Sequence, residues 1–282
     1  MKKRLRIFAL FILLLCGSGE LAVAQTASSW IMDPYTRSRL IVGNFDSEKK
    51  ILHLGWQVIL KEGWKTYWRS PGDAGLPPRW NWGTSPENIK SIKVDWPAPE
   101  RMHIFNMDTF IYHDEVILPI RLELADATRP LDISLDLEFM ICQDVCIPLE
   151  AHYELNIPDV GQMKASFFQA ALLQKYQQKV PALTADKKVR LSVTELEKKS
   201  FLRIGLSKEE AGLKDIIIEG PEGYAFGKIT AIKDKKGRER QGQYMVAIYS
   251  DQRAKEIKGR TLTLTLIPEN GPAIEIEAGV ED

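Results

Sequence analysis

Apolar and polar residues alternate in short runs through the first half of the chain: "ILHLGWQVIL" (51–60), "VILPIRLEL" (116–124) and "LDISLDLEFMI" (131–141). A period of two, with Gly, Pro and Asp clusters between runs, predicts half-buried strands joined by turns, and hence an antiparallel β-sandwich. The segment "WRSPGDAGLPPRWNWGTSPEN" (68–88) breaks the pattern and reads as a long Pro- and Gly-rich loop, ordered by its aromatics or by function. The period then changes. In "VGQMKASFFQAALLQKYQQKVP" (160–181) apolar residues recur at helical spacing up to Pro181, which predicts a short connecting helix. Beyond it, "VRLSVTELE", "SFLRIGLS", "DIIIEG", "QYMVAIYS" and "RTLTLTLIP" supply at least five more strands. The pattern therefore predicts an all-β protein with two tandem β-sandwiches, the second running from about residue 184 to 282.

Composition sharpens the division. All seven tryptophans lie between Trp30 and Trp96, whereas the text beyond about residue 180 has no Trp or Cys and is rich in Lys, Glu, Ile and Leu. The first 24 residues stand apart from both halves. A basic start ("MKKRLR"), an apolar run too short to span a bilayer comfortably ("IFALFILLLCG") and "AVA" before Gln25 predict a secretory signal peptide, residues 1–24. Acylation at Cys16 is the weaker reading, because Leu15 is bulky for a lipidation site. No later stretch is long and apolar enough for a transmembrane helix. Loss of the leader removes four basic residues and one acid, leaving 34 basic against 37 acidic over 258 residues. A near-neutral chain gives no support for a nucleic-acid partner, and its length suits two domains. The expected organisation is a signal peptide (1–24), a first sandwich (25–158), a helical linker (159–183) and a second β-domain (184–282).

Only Cys142 and Cys146 remain after export, in "FMICQDVCIPLE", and an exported chain lives where disulfides persist. Along a straight strand the two would lie about 13 Å apart, too far for a bond that needs Cα atoms within about 7 Å. If they bond, the chain must turn between them, with "QDV" as a three-residue connection between strands. A helical turn would also bring them together, but Pro148 and the strand-like flanks disfavour it. A structural staple and an exchangeable pair both remain open. Closing a five-residue ring stabilises by only about 2 kcal/mol, against about 4.7 for a hundred-residue loop, and a small strained ring is more readily reduced.

Other chemistries are weaker. The four histidines show no paired zinc-ligand spacing. Met102, His103, Met107, His113 and Met140 are softer candidates for copper, although methionine ordinarily serves as packing. The sequence has no phosphate loop, Gly-x-Ser-x-Gly elbow or metal-binding helix, so no cofactor or bound metal is expected.

"LHLGWQVILKEGWKTYWRSPGDAGLPP", "YHDEVILPI" and "CQDVCIP", in this order, resemble the N-terminal periplasmic domain of the DsbD family of thiol:disulfide interchange proteins, above all its ScsB branch, named for suppression of copper sensitivity. The resemblance runs from about Trp30 to Pro158. It implies an immunoglobulin-like sandwich whose cysteine pair takes electrons from a membrane-embedded thiol redox protein or thioredoxin-like domain and passes them to oxidised periplasmic proteins. It also implies that Cys146 is the more exposed sulfur that forms mixed disulfides, and that Cys142 resolves them. A family cap loop would place Phe105, in "IFNMDTF", over the disulfide, and Tyr67 falls at an aromatic position near the site; ordinary packing is the competing reading for both. Three departures stand out. The cysteine spacing is short, as in the ScsB branch. The acidic pair expected before the cap phenylalanine is replaced by His103 and Ile104, with His103 as a substitute proton carrier. The transmembrane carrier and C-terminal thioredoxin domain of the family have no counterpart here. The expected function is a periplasmic dithiol relay; the alternatives are a binding module with an inert disulfide and a copper-tolerance protein binding Cu(I) through its thiols.

Overall fold

The computed structural model describes residues 25–83, 87–185, 189–207, 212–250 and 254–281. The predicted leader, residues 1–24, lies outside the described residues. In chain order the first eleven strands are β1 (Ile31–Met32), β2 (Thr36–Asp46), β3 (Ile51–Leu60), β4 (Lys65–Gly72), β5 (Arg79–Trp82), β6 (Ile89–Val94), β7 (Glu100–Ile104), β8 (Met107–His113), β9 (Glu115–Leu124), β10 (Leu131–Cys142) and β11 (Cys146–Ile157). They form two antiparallel sheets, β1-β2-β3-β9-β6 and β11-β10-β4-β8-β7, with β5 also pairing to β10. Alternation decides which faces meet. On β10, Leu131, Ile133, Leu135, Leu137, Phe139 and Ile141 turn inward and are at most 5% exposed, while Asp132, Asp136 and Glu138 face solvent. The resulting fold is an immunoglobulin-like sandwich.

A polar contact inside the core joins the sheets. Trp56 Nε1 donates to Tyr153 Oη at 2.9 Å, and that oxygen shares a 2.6 Å hydrogen bond with Ser38 Oγ. Burial pushes the Tyr153 phenol up to about 12, so it stays protonated. The described part of the 68–88 segment is more than a loop: residues 68–83 supply the end of β4 and all of β5, whose Trp80 and Trp82 stack at 6.0 Å, and residues 84–86 lie outside the described residues. Trp80 also packs edge-on to the buried Trp56, so the aromatics hold the segment down.

Helix α1 (Phe167–Gln177) follows. It starts later and stops earlier than the periodic stretch, and it packs on β2 and β9 instead of merely spanning a gap. Gly43 and Gly55 make the approach possible, since a Cβ at either would overlap Leu173. Tyr176 Oη donates to the Glu115 carbonyl at 2.7 Å. The remaining strands are β12 (Ala182–Leu183), β13 (Arg190–Leu196), β14 (Lys199–Gly205), β15 (Leu213–Glu219), β16 (Tyr224–Phe226), β17 (Thr230–Lys233), β18 (Glu239–Ser250), β19 (Thr261–Pro268) and β20 (Ile274–Gly279). They make sheets β12-β20-β19-β15 and β13-β14-β18-β16, with β17 on β18, around a second apolar core that includes Leu202, Ile204, Val246, Leu264 and Ile276. Among the described residues no helix is long and apolar enough to cross a membrane.

Candidate functional site

β10 and β11 pair without a break over twelve residue pairs, from Leu131↔Ile157 to Cys142↔Cys146, and Gln143–Val145 is the connection. The cysteines face each other across the hairpin neck with Cα atoms 4.1 Å apart, and they are disulfide-bonded. This spacing marks a non-hydrogen-bonded pair, the position where facing side chains come closest. The two sulfurs differ in surroundings. Cys142 is buried, 7% exposed, while Cys146 is exposed at the start of β11.

Cys142 sits in a small apolar cluster with Tyr67 and Ile111, against which Met102 and Met140 pack. This cluster is separate from the main core, so the disulfide rests on a patch of its own. Tyr67 Oη lies 3.6 Å from Cys146 Sγ. Burial raises the Tyr67 pKa, which keeps the phenol protonated and able to donate to a Cys146 thiolate. Gly75 (φ +95°) leaves the space for that ring, since a Cβ there would overlap it. Lys65, opposite Cys142 on β4, donates from Nζ to the Gln143 carbonyl at 3.2 Å; burial lowers its pKa and Asp144 partly restores it. An ammonium beside the turn favours thiolate over thiol. Neither Lys65 nor Asp144 was singled out from sequence; a cation one strand away from a cysteine leaves no local signal.

The segment "IFNMDTF" is a tight hairpin. β7 and β8 pair from Glu100↔Ile111 to Ile104↔Met107, and the turn is Phe105 and Asn106, both left-handed at φ 52° and 61°. Two consecutive positive φ values are what a two-residue hairpin of matching twist requires. Phe105 is 89% exposed at the tip, with Ile104 and Met107 beside it also partly in water. It is therefore not in the core, and in this conformation it does not shield the disulfide. Met102, on β7 just before this segment, packs against the cluster that holds Cys142. His103 faces Asp108 across the hairpin, Nδ1 to Oδ1 at 2.7 Å, and is itself largely exposed.

Of the five candidates from sequence, Cys142, Cys146 and Tyr67 converge, whereas Phe105 and His103 stand on the neighbouring hairpin. Among the described residues no three His, Cys, Asp or Glu side chains are grouped as a metal site would need. A shallow apolar groove of about 80 Å³ lies alongside the cysteine hairpin between Leu76, Pro77, Met140 and Pro148. A larger concavity, about 530 Å³ near Gln25, Ser29 and Asn156, lies at the far end of β11, roughly 30 Å from Cys146 at 3.3 Å per residue.

Residues 37–158 match the family model described as the N-terminal part of thiol:disulfide interchange protein DsbD. The fold is similar to the crystal structure of the N-terminal periplasmic domain of ScsB from Proteus mirabilis, with a TM-score of 0.69 and 22% sequence identity. The alignment covers 91% of this chain and 99% of that one. No curated protein matches the sequence.

Proposed function

We propose, from the match of residues 37–158 to the DsbD N-terminal family of thiol:disulfide interchange proteins, that the chain is a periplasmic dithiol carrier that relays electrons through Cys142 and Cys146. One observation carries the reading: the bonded pair closes a three-residue turn with Cys146 in solvent and Cys142 buried beneath it. Such an asymmetry assigns one sulfur to attack and one to resolution.

The exchange balances as two electrons per cycle. A donor thiolate attacks Cys146 Sγ, the Cys142–Cys146 bond breaks, and Cys142 leaves as a thiolate and takes up a proton. The donor's second thiolate then attacks its own sulfur in the mixed disulfide and releases Cys146 as a thiolate, which leaves the donor oxidised and the pair reduced. In the forward step the Cys146 thiolate attacks a target disulfide and expels one target thiolate. Deprotonated Cys142 then attacks Cys146 Sγ, restores the original bond and releases the second target thiolate. Tyr67 and Lys65 favour the thiolate form of the pair during both passages. The donor is a membrane-embedded thiol protein or thioredoxin-like domain, and the targets are oxidised periplasmic proteins.

The β7–β8 hairpin serves as the cap, moving between the open position described here and a closed one with Phe105 over the sulfurs. Phe105→Ala should then raise the oxidation rate of the reduced pair by a small oxidant; an unchanged rate removes the cap. The carrier itself is tested by equilibrating the pair with glutathione buffers and trapping free thiols. A potential between about −180 and −270 mV supports exchange, and one below about −300 mV makes the bond a staple.

A second reading draws on the packing of Met102 and Met140 against the apolar cluster that holds Cys142: Cu(I) held by the reduced thiols with thioether help. Competition against a Cu(I) chelator tests it, with Met102→Leu and Met140→Leu expected to weaken binding.

A further inference from the structure

β15 shows two faces to two cores. Ile216 and Ile218 turn into the second sandwich, whereas Asp215, Ile217 and Glu219, on alternate positions, turn toward the first. Ile217 is fully buried within the first sandwich's own apolar cluster. Ion pairs flank it on both sides. Arg101 Nε donates to Asp215 Oδ2 at 2.7 Å, and its Nη2 reaches Asp215 Oδ1 and the Ile216 carbonyl, each at 3.2 Å. Arg69 grips Glu219 through Nε and Nη2, at 3.0 and 2.6 Å, and Nη2 also donates to Glu275 on β20.

Both arginines stand on strands that reach the redox site. Arg101 precedes Met102, which packs against the Tyr67–Ile111–Cys142 cluster, and Arg69 is two residues from Tyr67, whose hydroxyl lies 3.6 Å from Cys146 Sγ. Arg101 goes further, because its Nη1 donates to Asp108 at 2.8 Å. Asp108 lies on β8 just behind the hairpin tip, bonds His103, donates its backbone N–H to Asp73 Oδ2 at 2.7 Å and accepts at its carbonyl from the Asp73 N–H at 2.9 Å. The Arg101 side chain is 6% exposed and that of Asp215 9%. If the hairpin swung toward the disulfide it would pull Arg101 and Asp108 with it, leaving the Asp215 carboxylate buried without its partner. That is a costly state, so the docked domain and the open hairpin favour each other.

We propose that the second sandwich controls access to the Cys142–Cys146 bond, with Arg101 as the positioning residue that couples its docking to the open β7–β8 hairpin. This deepens the carrier reading, on which it rests, by assigning that reading's regulation to the second sandwich. When the domain is docked, Cys146 is presented to a partner thiol; when it lifts away, the hairpin is released to cover the site.

The test uses the full mature chain and the second-order rate at which dithiothreitol reduces the disulfide. Asp215→Ala should slow reduction fivefold or more, and Asp215→Glu should restore most of the rate. Glu219→Gln combined with Glu275→Gln, which loosens docking without touching Arg101, should slow it in the same direction by a smaller factor, and it serves as the independent variant if Asp215→Ala does not fold. Small-angle scattering on each variant reports whether the second sandwich has separated. Rates within twofold of wild type in a variant whose domain has separated, or any acceleration, would overturn the proposal. The wild-type potential fails or succeeds independently. A staple-like potential would sink the carrier reading, while the relative rates would still report how docking sets the hairpin.

Discussion

Two hairpins border the redox site and are held in opposite ways. The β10–β11 hairpin is closed at its tip by a covalent bond and anchored along its length by inward-facing residues, including Tyr153 with its buried contacts to Trp56 and Ser38. The β7–β8 hairpin is closed at its tip only by the left-handed Phe105–Asn106 turn; its base is held by pairing of β8 with β4 and by Arg101, which is shared with another domain. The bond that must be attacked in a reproducible geometry sits on the rigid element, and the element beside it depends on ion pairs that can separate. This division lets access change without altering the reacting geometry.

Removing the covalent closure gives the largest functional change. Cys146→Ala should abolish mixed-disulfide formation in a thiol-trapping assay while costing the fold no more than about 2 kcal/mol, the worth of a five-residue ring. A much larger loss of stability would mean that the hairpin depends on its bond and that the contrast between the two is wrong.

Tyr153→Phe and Gly72→Ala attack the anchors separately. Tyr153→Phe leaves Ser38 and Trp56 without their partner and should lower stability by about 1–3 kcal/mol in denaturant unfolding, with little effect on the exchange rate. Gly72 has φ +83°, and a Cβ there would overlap the Asp108 carbonyl just behind the tip of the β7–β8 hairpin. Gly72→Ala should cost about 1–3 kcal/mol as well, and should in addition change the rate of reduction by dithiothreitol. Equal kinetic effects from the two substitutions would erase the distinction.

At the hairpin tip, Phe105→Ala should leave stability within about 0.5 kcal/mol, because the ring is in water. The smallest effect is electrostatic. Hydrogen bonds with Asp136 and then Glu154 raise the pKa of His152, which ties β11 to β10. The raised folded value means that its contribution is present below the ordinary histidine value, about 6.5, and is lost as pH rises through the raised one. His152→Gln should flatten the slight fall in Tm across that window, and an unchanged slope would assign the fall to other groups.

The cysteine hairpin was legible because its signals are local: alternation on both flanks, a three-residue gap, and a distance argument that forces a turn. The two tandem sandwiches were legible for the same reason. The strand within 68–88 was not, since β5 has four residues and its pairing with β10 is a long-range event hidden among prolines and glycines. "IFNMDTF" read as a loop because its turn uses Phe and Asn instead of glycine at the left-handed positions. Arg69 and Arg101 gave no sign at all. Their carboxylate partners on the second sandwich lie 114 to 206 residues away, and neither periodicity nor spacing encodes a contact of that kind.

Pro148 has a consequence for how copies of this chain meet. β11 is the outer strand of its sheet, and the non-hydrogen-bonded pairing at Cys146 recurs at every second residue, so the backbone groups of Pro148, Glu150, His152, Glu154 and Asn156 point away from β10. At the far end Asn156 is already occupied by Gln25, which gives and receives a hydrogen bond there. Beside the reactive sulfur, proline offers no N–H at all. A second molecule that tried to extend the sheet next to Cys146 would find a missing rung, which discourages self-association by strand addition where one copy's thiolate could attack another's disulfide, expel Cys142 as a thiolate and link the two chains.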